Sequence, residues 1–228
     1  SVLRDKTRGC FPAPEKIMCA AVEGAQVDFD TAQIIEARYF TELTCGQVAK
    51  NMIGTFWFQL NEINAGGSRP QGYPKTRTKK VGVLGAGMMG AGIAYVSAAA
   101  GIEVVLKDVS VEAAEKGKGY SARLLDKKVG RGHMSAEQRD AFLGLIKASD
   151  SEADFDGCDL IIEAVFEDRA LKGKVTAAAE AAALGDAVIA SNTSTLPITG
   201  LATAVARPEN FIGLHFFSPV DKMPLVEI

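Results

Sequence analysis

From Lys80 onward the chain alternates short, unbroken apolar runs with longer stretches whose apolar positions recur every three to four residues. Val81–Leu84, Val104–Leu106, Leu160–Glu163, Val188–Ala190 and Ile212–Leu214 have strand length, and their continuity is that of strands buried on both faces. Between them the helical period predicts a helix from the first run to about Ala100, then Val111 to about Val129 and Ala136 to Lys147. An alanine-rich helix from Leu171 to Ala183 and a short one near Ile198–Ala204 complete the set. Ser135 and Gln138 have the spacing of a capping box. This alternation predicts an α/β domain over residues 79–228, a parallel sheet with helices on both faces.

Residues 1–78 follow the helical period alone. Pro14 and Glu15 stand where a helix begins, since proline lacks only an N–H that would have no partner there. Asp30 is placed to cap the next helix, with Ile34, Ile35, Tyr39 and Leu43 along one side. Gly46 interrupts the pattern, which resumes through Val48, Met52, Ile53, Phe56, Trp57, Leu60 and Ile63. A stripe this dense needs cover, and packing within the chain is the expectation. Gly66-Gly67-Ser68-Arg69-Pro70 end the helix, and Lys75, Arg77, Lys79 and Lys80 read as solvated linker charge.

Composition narrows the choice of function. The 228 residues carry 25 Lys and Arg against 28 Asp and Glu, so no excess positive charge is available to bind a nucleic acid backbone. A hydrophobic share of 47% argues against a disordered chain. Val81–Ile102 is long enough to span a bilayer, but Gly82, Gly85, Gly87, Gly90, Gly92 and Gly101 break it. Ala187–Ala206 carries Ser191, Asn192, Thr193, Ser194, Thr195 and Pro197, so neither run is read as a membrane span. Cysteines at 10, 19, 45 and 158 and histidines at 133 and 215 lack metal-ligand spacing; reduced thiols and no metal site are expected. The opening on Ser1 and the apolar close from Pro224 to Ile228 suggest a segment of a longer chain.

The most informative motif is Gly85-Ala86-Gly87-Met88-Met89-Gly90, directly after the first strand and at the start of a helix. Its first glycine allows the tight turn, the second lets backbone approach a pyrophosphate, and the third lets helix and strand pack closely. The helix N-terminus then offers free N–H groups to phosphate oxygens. Asp108 ends the second strand, where a carboxylate accepts from the adenosine ribose hydroxyls and repels a 2′-phosphate. The spacing therefore points to NAD rather than NADP. Lys107 is adjacent, and strand alternation directs it elsewhere.

Four motifs in order then identify a resemblance. The glycine motif, Ile162-Glu163-Ala164-Val165-Phe166-Glu167, Ser191-Asn192-Thr193-Ser194 and Gly213-Leu214-His215-Phe216-Phe217-Ser218-Pro219 together resemble the 3-hydroxyacyl-CoA dehydrogenases over Lys79–Ile228. Ala37-Arg38-Tyr39-Phe40 and Gly46-Gln47-Val48-Ala49-Lys50-Asn51 resemble the helical connector of the multifunctional β-oxidation enzyme. The resemblance implies a Rossmann-type doubly wound sheet, preceded by a helical connector over residues 1–78. It implies His215 as catalytic base, Glu227 as its acidic partner and Ser194 as a hydroxyl contacting substrate and nicotinamide. Histidine suits the proton transfer because its unperturbed pKa lies near working pH.

The same resemblance implies cofactor contacts from Gly85, Gly87, Met88, Met89, Gly90, Asp108, Ala164, Val165, Phe166, Glu167, Lys172, Asn192, Ser194 and Ser218. Read from its residue type alone, Lys172 is equally a solvated lysine at a helix start. Ser218 departs from the asparagine common in the family, and its shorter reach weakens that nicotinamide contact. Lys127, Lys128 and Arg131 read as helix-surface charge rather than ligands of the coenzyme A 3′-phosphate. The implied substrate is an acyl-CoA, the implied partner a thiolase subunit, and the implied location a bacterial cytoplasm or a mitochondrial matrix. Two other functions stay open: a cofactor-binding module inactive alone, and another NAD-linked dehydrogenase of a small hydroxy acid.

Overall fold

The computed structural model describes residues 2–183 and 185–228. It divides into two compact units, Ser1–Lys75 and Thr76–Ile228, a boundary slightly ahead of the one drawn from the sequence.

The first unit is helical: α1 (Val2–Thr7), α2 (Pro12–Gly24), α3 (Phe29–Cys45), α4 (Gln47–Ile53), a π-helical stretch Gly54–Gln59, and α5 (Leu60–Asn64). Asp28, not Asp30, caps α3. Its extended backbone turns the carboxylate onto Thr31, accepting from the backbone N at 3.0 Å and from Oγ1 at 2.7 Å, while Asp30 lies within the first turn. Glu23 joins α2 to α3 by accepting from Arg38 Nη2 at 2.7 Å and from the Tyr39 hydroxyl.

The expected intramolecular cover of the apolar stripe is not found. No described residue of this unit is buried, and Phe56 and Trp57 stand 66% and 65% exposed. The reason is geometric: α2 and α3 cover one face of each other, whereas α4 to α5 continue as one run with no second layer of the unit against it.

The second unit is a six-stranded parallel sheet in the order β3-β2-β1-β4-β5-β6. Its strands are β1 (Lys80–Leu84), β2 (Glu103–Lys107), β3 (Ile146–Ser149), β4 (Leu160–Glu163), β5 (Val188–Ser191) and β6 (Phe211–Gly213). Helices α6 (Met88–Ala99), α7 (Val111–Gly130), α8 (Ala136–Gly144), α9 (Arg169–Ala182) and α10 (Ile198–Ala202) form the crossovers. One face of the sheet buries Val83, Leu106 and Ile162 with Ile93 and Ala94 of α6; the other buries Leu84, Val105 and Ile161 with Phe155 and Ala179. Cys158 lies in that second core, where burial pushes its thiol up to about 11.

One sequence expectation is corrected here. The helix expected from Ala136 to Lys147 stops at Gly144, because Leu145 N closes on Phe142 O and Leu145 O accepts from Val104 N at 2.8 Å. The following four residues become β3, paired with β2 from Ile146 opposite Val104. The capping box does form, Gln138 N donating to Ser135 Oγ at 3.2 Å and Ser135 N to Gln138 Oε1 at 2.9 Å.

After β6 the chain leaves the sheet. β7 (His215–Phe216) pairs antiparallel with β8 (Val226–Glu227), placing His215 directly opposite Glu227. The loop between them is anchored at two points. Val220 is buried against Gly92 of α6, and Tyr120 of α7 donates to Asp221 at 2.5 Å. Among the described residues no helix is long and apolar enough to cross a membrane, and no cluster of three His, Cys, Asp or Glu is placed to hold a metal.

Candidate functional site

The strand order reverses between β1 and β4, so the segments leaving their carboxyl ends diverge and open a crevice. The glycine motif leaves β1 there. Gly85 has φ +92°, a conformation open to glycine, and a side chain on it would meet Ala164 O at 2.8 Å. A Cβ on Gly90 would fall 1.8 Å from Gly85 O, so α6 can seat against the turn only with glycine at that position. Gly87 caps α6 with no side chain occupying its N–H groups, and Gly87 and Met88 are exposed; Met89 packs on the core. A Cβ on Gly117 of α7 would lie 2.6 Å from Ala86, a contact the sequence did not announce.

Asp108 accepts from Ala86 N at 2.6 Å and from Val109 N at 2.7 Å, so the end of β2 braces the glycine turn. Lys107 is turned away and paired with Glu152 at 2.5 Å. A cleft of about 300 Å³ runs here, lined by Gly85, Gly87, Asp108, Val109, Val165 and Phe166 among others. A second cleft of about 480 Å³ is lined by Met89, Glu167, Asn192, Ser194, His215 and Ser218 among others. Ala164 and Val165 line both, so the two clefts meet at the end of β4.

The second cleft holds a histidine–carboxylate pair. His215 Nδ1 lies 3.0 Å from Glu227 Oε2. A carboxylate only accepts, so Nδ1 carries a proton, and in the neutral ring Nε2 is then the acceptor. The His215 ring also packs on Phe217 with centroids 4.5 Å apart. Asn192 Oδ1 accepts from Phe216 N at 2.8 Å, joining the end of β5 to the strand that bears the histidine. Ser194 and Ser218 are exposed on the rim, with Ser218 Oγ 3.9 Å from Met88 Sδ.

Beneath the meeting point of the clefts lies a buried ionic cluster. Lys172 Nζ is 2.8 Å from Glu163 Oε1 and 3.2 Å from Glu167 Oε2, with side-chain exposures of 1% for Lys172, 0% for Glu163 and 37% for Glu167. The reading of Lys172 as a solvated lysine is thereby corrected: Asp168 caps α9 at Leu171 N, which starts the helix at Arg169 and turns Lys172 inward. Glu163 accepts as well from Val165 N at 2.7 Å and from Ser191 Oγ at 2.6 Å. Glu167 takes a hydrogen bond from Thr193 Oγ1 at 2.5 Å and longer ones from Ser194 N and Thr195 N. Burial pushes the Glu167 carboxyl up, but the donors Thr193 and Lys172 outweigh it and hold the group at about 2.

Glu163, Ser191 and Thr193 stand inside the family motifs but were given no role from the sequence. The available signal was Glu163 itself, a charge closing an otherwise apolar buried strand, with a lysine one helix start later. Thr193 is marked only by its place in the Ser191–Ser194 motif. Lys128, read as surface charge, donates to the Tyr95 hydroxyl at 3.0 Å.

Comparison with known proteins places this geometry. The family described as "3-hydroxyacyl-CoA dehydrogenase, NAD binding domain" matches residues 80–228. The crystal structure of FadB2 from M. tuberculosis is 39% identical with a TM-score of 0.63, covering 66% of this chain and 53% of that one. The (S)-3-hydroxybutyryl-CoA dehydrogenase PaaH1 from Ralstonia eutropha gives the same identity, TM-score and coverages. The dehydrogenase part of multifunctional enzyme 1 from C. elegans is 26% identical with a TM-score of 0.58, covering 67% of this chain and 35% of that one. The chain thus spans about half the length of the first two structures. Through residues 80–228 the chain belongs to the NAD-binding domain family of the 3-hydroxyacyl-CoA dehydrogenases.

Proposed function

We propose that this chain is the cofactor-binding half of an enzyme that oxidises L-3-hydroxyacyl-CoA to 3-ketoacyl-CoA in β-oxidation, with His215 as general base. The observation that carries the reading is the His215–Glu227 pair, 3.0 Å apart, in a cleft that meets the glycine-turn cleft at Ala164 and Val165. Oxidation of a secondary alcohol needs a hydride acceptor at the carbon and a proton acceptor at its hydroxyl. NAD supplies the first when bound. The residues fitted to hold it are Gly85, Gly87, Met88 and Met89 around the start of α6, Asp108 at the ribose, and Ala164–Glu167, Asn192 and Ser218 along the floor, while Lys172, expected to reach the cofactor, lines neither cleft and is sealed beneath them on Glu163 and Glu167.

His215 Nε2 takes the hydroxyl proton, and Glu227 holds the ring and stabilises the imidazolium that forms. Ser194, exposed on the same rim, positions the substrate oxygen. Asp108, already oriented by two backbone donors, selects NAD: NADH is expected to bind at least about tenfold tighter than NADPH in a calorimetric titration. Equal affinities would remove Asp108 from the specificity role.

A second reading is favoured by one observation. The Glu227 side chain is 70% exposed beside the histidine, and an acid–base pair this open to water suits a site completed by further chain. On that reading the chain binds NAD but is inactive alone. On it too, residues 1–78 are the connector within a multifunctional enzyme, which pairs with a thiolase in a bacterial cytoplasm or a mitochondrial matrix; the motifs Ala37–Phe40 and Gly46–Asn51 support the connector, and the likeness to the dehydrogenase part of a multifunctional enzyme supports only the multifunctional context. Acetoacetyl-CoA reduction, followed by NADH loss, separates the readings. Activity in both the chain and its longer parent supports a self-sufficient enzyme, activity in the parent alone supports the module, and activity in neither refutes the acyl-CoA assignment.

A further inference from the structure

The charges beneath the clefts do not cancel. Glu163 and Lys172 form a neutral pair closed off from water, which leaves the Glu167 carboxylate as one unbalanced negative charge. Glu167 is also the member of the cluster that lines the cleft, beside Ser194 and His215. Its five hydrogen-bonded and ionic contacts to Thr193, Ser194, Thr195 and Lys172 fix its position, so the charge cannot swing away. Its carboxyl is moreover held at about 2, so it is ionised at neutral pH.

A fixed anion acts differently on the two forms of a nicotinamide cofactor. The ring is a cation in NAD⁺ and neutral in NADH, and the rest of the molecule is the same. We infer that the Glu163–Lys172–Glu167 cluster is a redox-state selector: its net charge of −1 strengthens binding of the oxidised cofactor relative to the reduced one. Lys172 sets the size of the effect by neutralising one carboxylate of the two, and Glu163 sets it without touching the cleft. This rests on the placement of the nicotinamide in the His215 cleft, as proposed above. The attraction is between unit charges at a partly desolvated site, where it amounts to about threefold to tenfold in relative affinity.

Titration calorimetry with NAD⁺ and with NADH on the same chain reads the ratio Kd(NAD⁺)/Kd(NADH). Glu167→Gln is expected to raise that ratio by about fivefold. Glu163→Gln is expected to raise it too, by about twofold to threefold, because Lys172 then balances Glu167. The double variant Glu163→Gln/Lys172→Met restores the net charge of −1 and is expected to return the ratio to within about twofold of the unaltered chain. Glu227 is present in all of them and drops out of the comparison. A purely structural or ribose-contact role weakens both cofactor forms together and leaves the ratio unmoved, which overturns the inference. Should Glu167→Gln fail to fold by circular dichroism, the other two variants carry the same test. If the unaltered chain binds neither form, the cofactor placement itself falls; if it binds both and no variant moves the ratio, only the selector does.

Discussion

On the proposed function, dehydrogenase turnover is expected to fall by about 10²–10⁴-fold when His215 is replaced by Gln, with NADH affinity held within about twofold. Glutamine fills nearly the same space and can still hydrogen-bond a substrate hydroxyl, but it cannot accept a proton at neutral pH. The proton must then leave to water, and the factor lost is that of a positioned general base. NADH affinity is expected to survive because the glycine turn and Asp108 lie in the other cleft, at the ends of β1 and β2. The Asn192 bond to β7 is also preserved, since it is made by the backbone N of Phe216 and not by the histidine side chain. Stopped-flow turnover with 3-hydroxybutyryl-CoA, together with a fluorescence titration of NADH, measures both quantities. Turnover within about threefold of the unaltered enzyme would mean that another group takes the proton.

The sequence announces the parts of this site that depend on backbone geometry. The Gly85–Gly90 spacing is dictated by a positive φ at one end and a near-contact with Gly85 O at the other, and no other residue type meets both demands. The central strands were equally plain, because burial on both faces leaves nearly unbroken apolar runs, with Glu163 and Ser191 only at the ends of β4 and β5. The edge strand β3 was not. Ile146-Lys147-Ala148-Ser149 is buried only at its two ends, so it shows neither an unbroken apolar run nor an alternation, and Phe142, Leu145 and Ile146 continue a helical period into it. Periodicity cannot separate a short edge strand from one more turn of helix. Asp28 and Asp30 pose the same difficulty, since either is a good cap by type and the backbone conformation decides.

The ionic cluster was illegible for another reason. Glu163 and Lys172 are nine positions apart, one ending a strand and the other inside the first turn of a helix, and no periodic rule brings such positions together. Their meeting follows from the β4–α9 turn, in which Asp168 caps the helix and Val165 N returns to Glu163. The motif that carried the family resemblance, Ile162–Glu167, therefore contains a structural acid and a cleft-lining acid; the resemblance implied a cofactor contact for Glu167 alone, and nothing in the sequence gave Glu163 a part. Position within the fold separates them: the side chain at 163 is sealed, and the one at 167 is open to the cleft.

Lys172→Met is expected to destabilise the second unit by about 3–5 kcal/mol, more than any other single change in the cluster. The ammonium is the shared partner of two carboxylates, and its removal leaves Glu163 charged with only Val165 N and Ser191 Oγ to hold it. Methionine fills the alkyl stem of lysine well, so little of the loss comes from packing. Glu163→Gln is a smaller injury, because Lys172 keeps Glu167 as an ion partner at 3.2 Å; about 1–2 kcal/mol is expected. The double variant Glu163→Gln/Lys172→Met buries no unpaired charge and is expected to regain most of what Lys172→Met alone loses. For a unit of this length each kcal/mol moves Tm by about 2–4 °C, so the three variants separate clearly in a thermal melt. The order matters more than the size. If Lys172→Met proves no worse than Glu163→Gln, the lysine is not the hinge of the cluster, and the charge balance beneath the clefts has to be assigned to other groups.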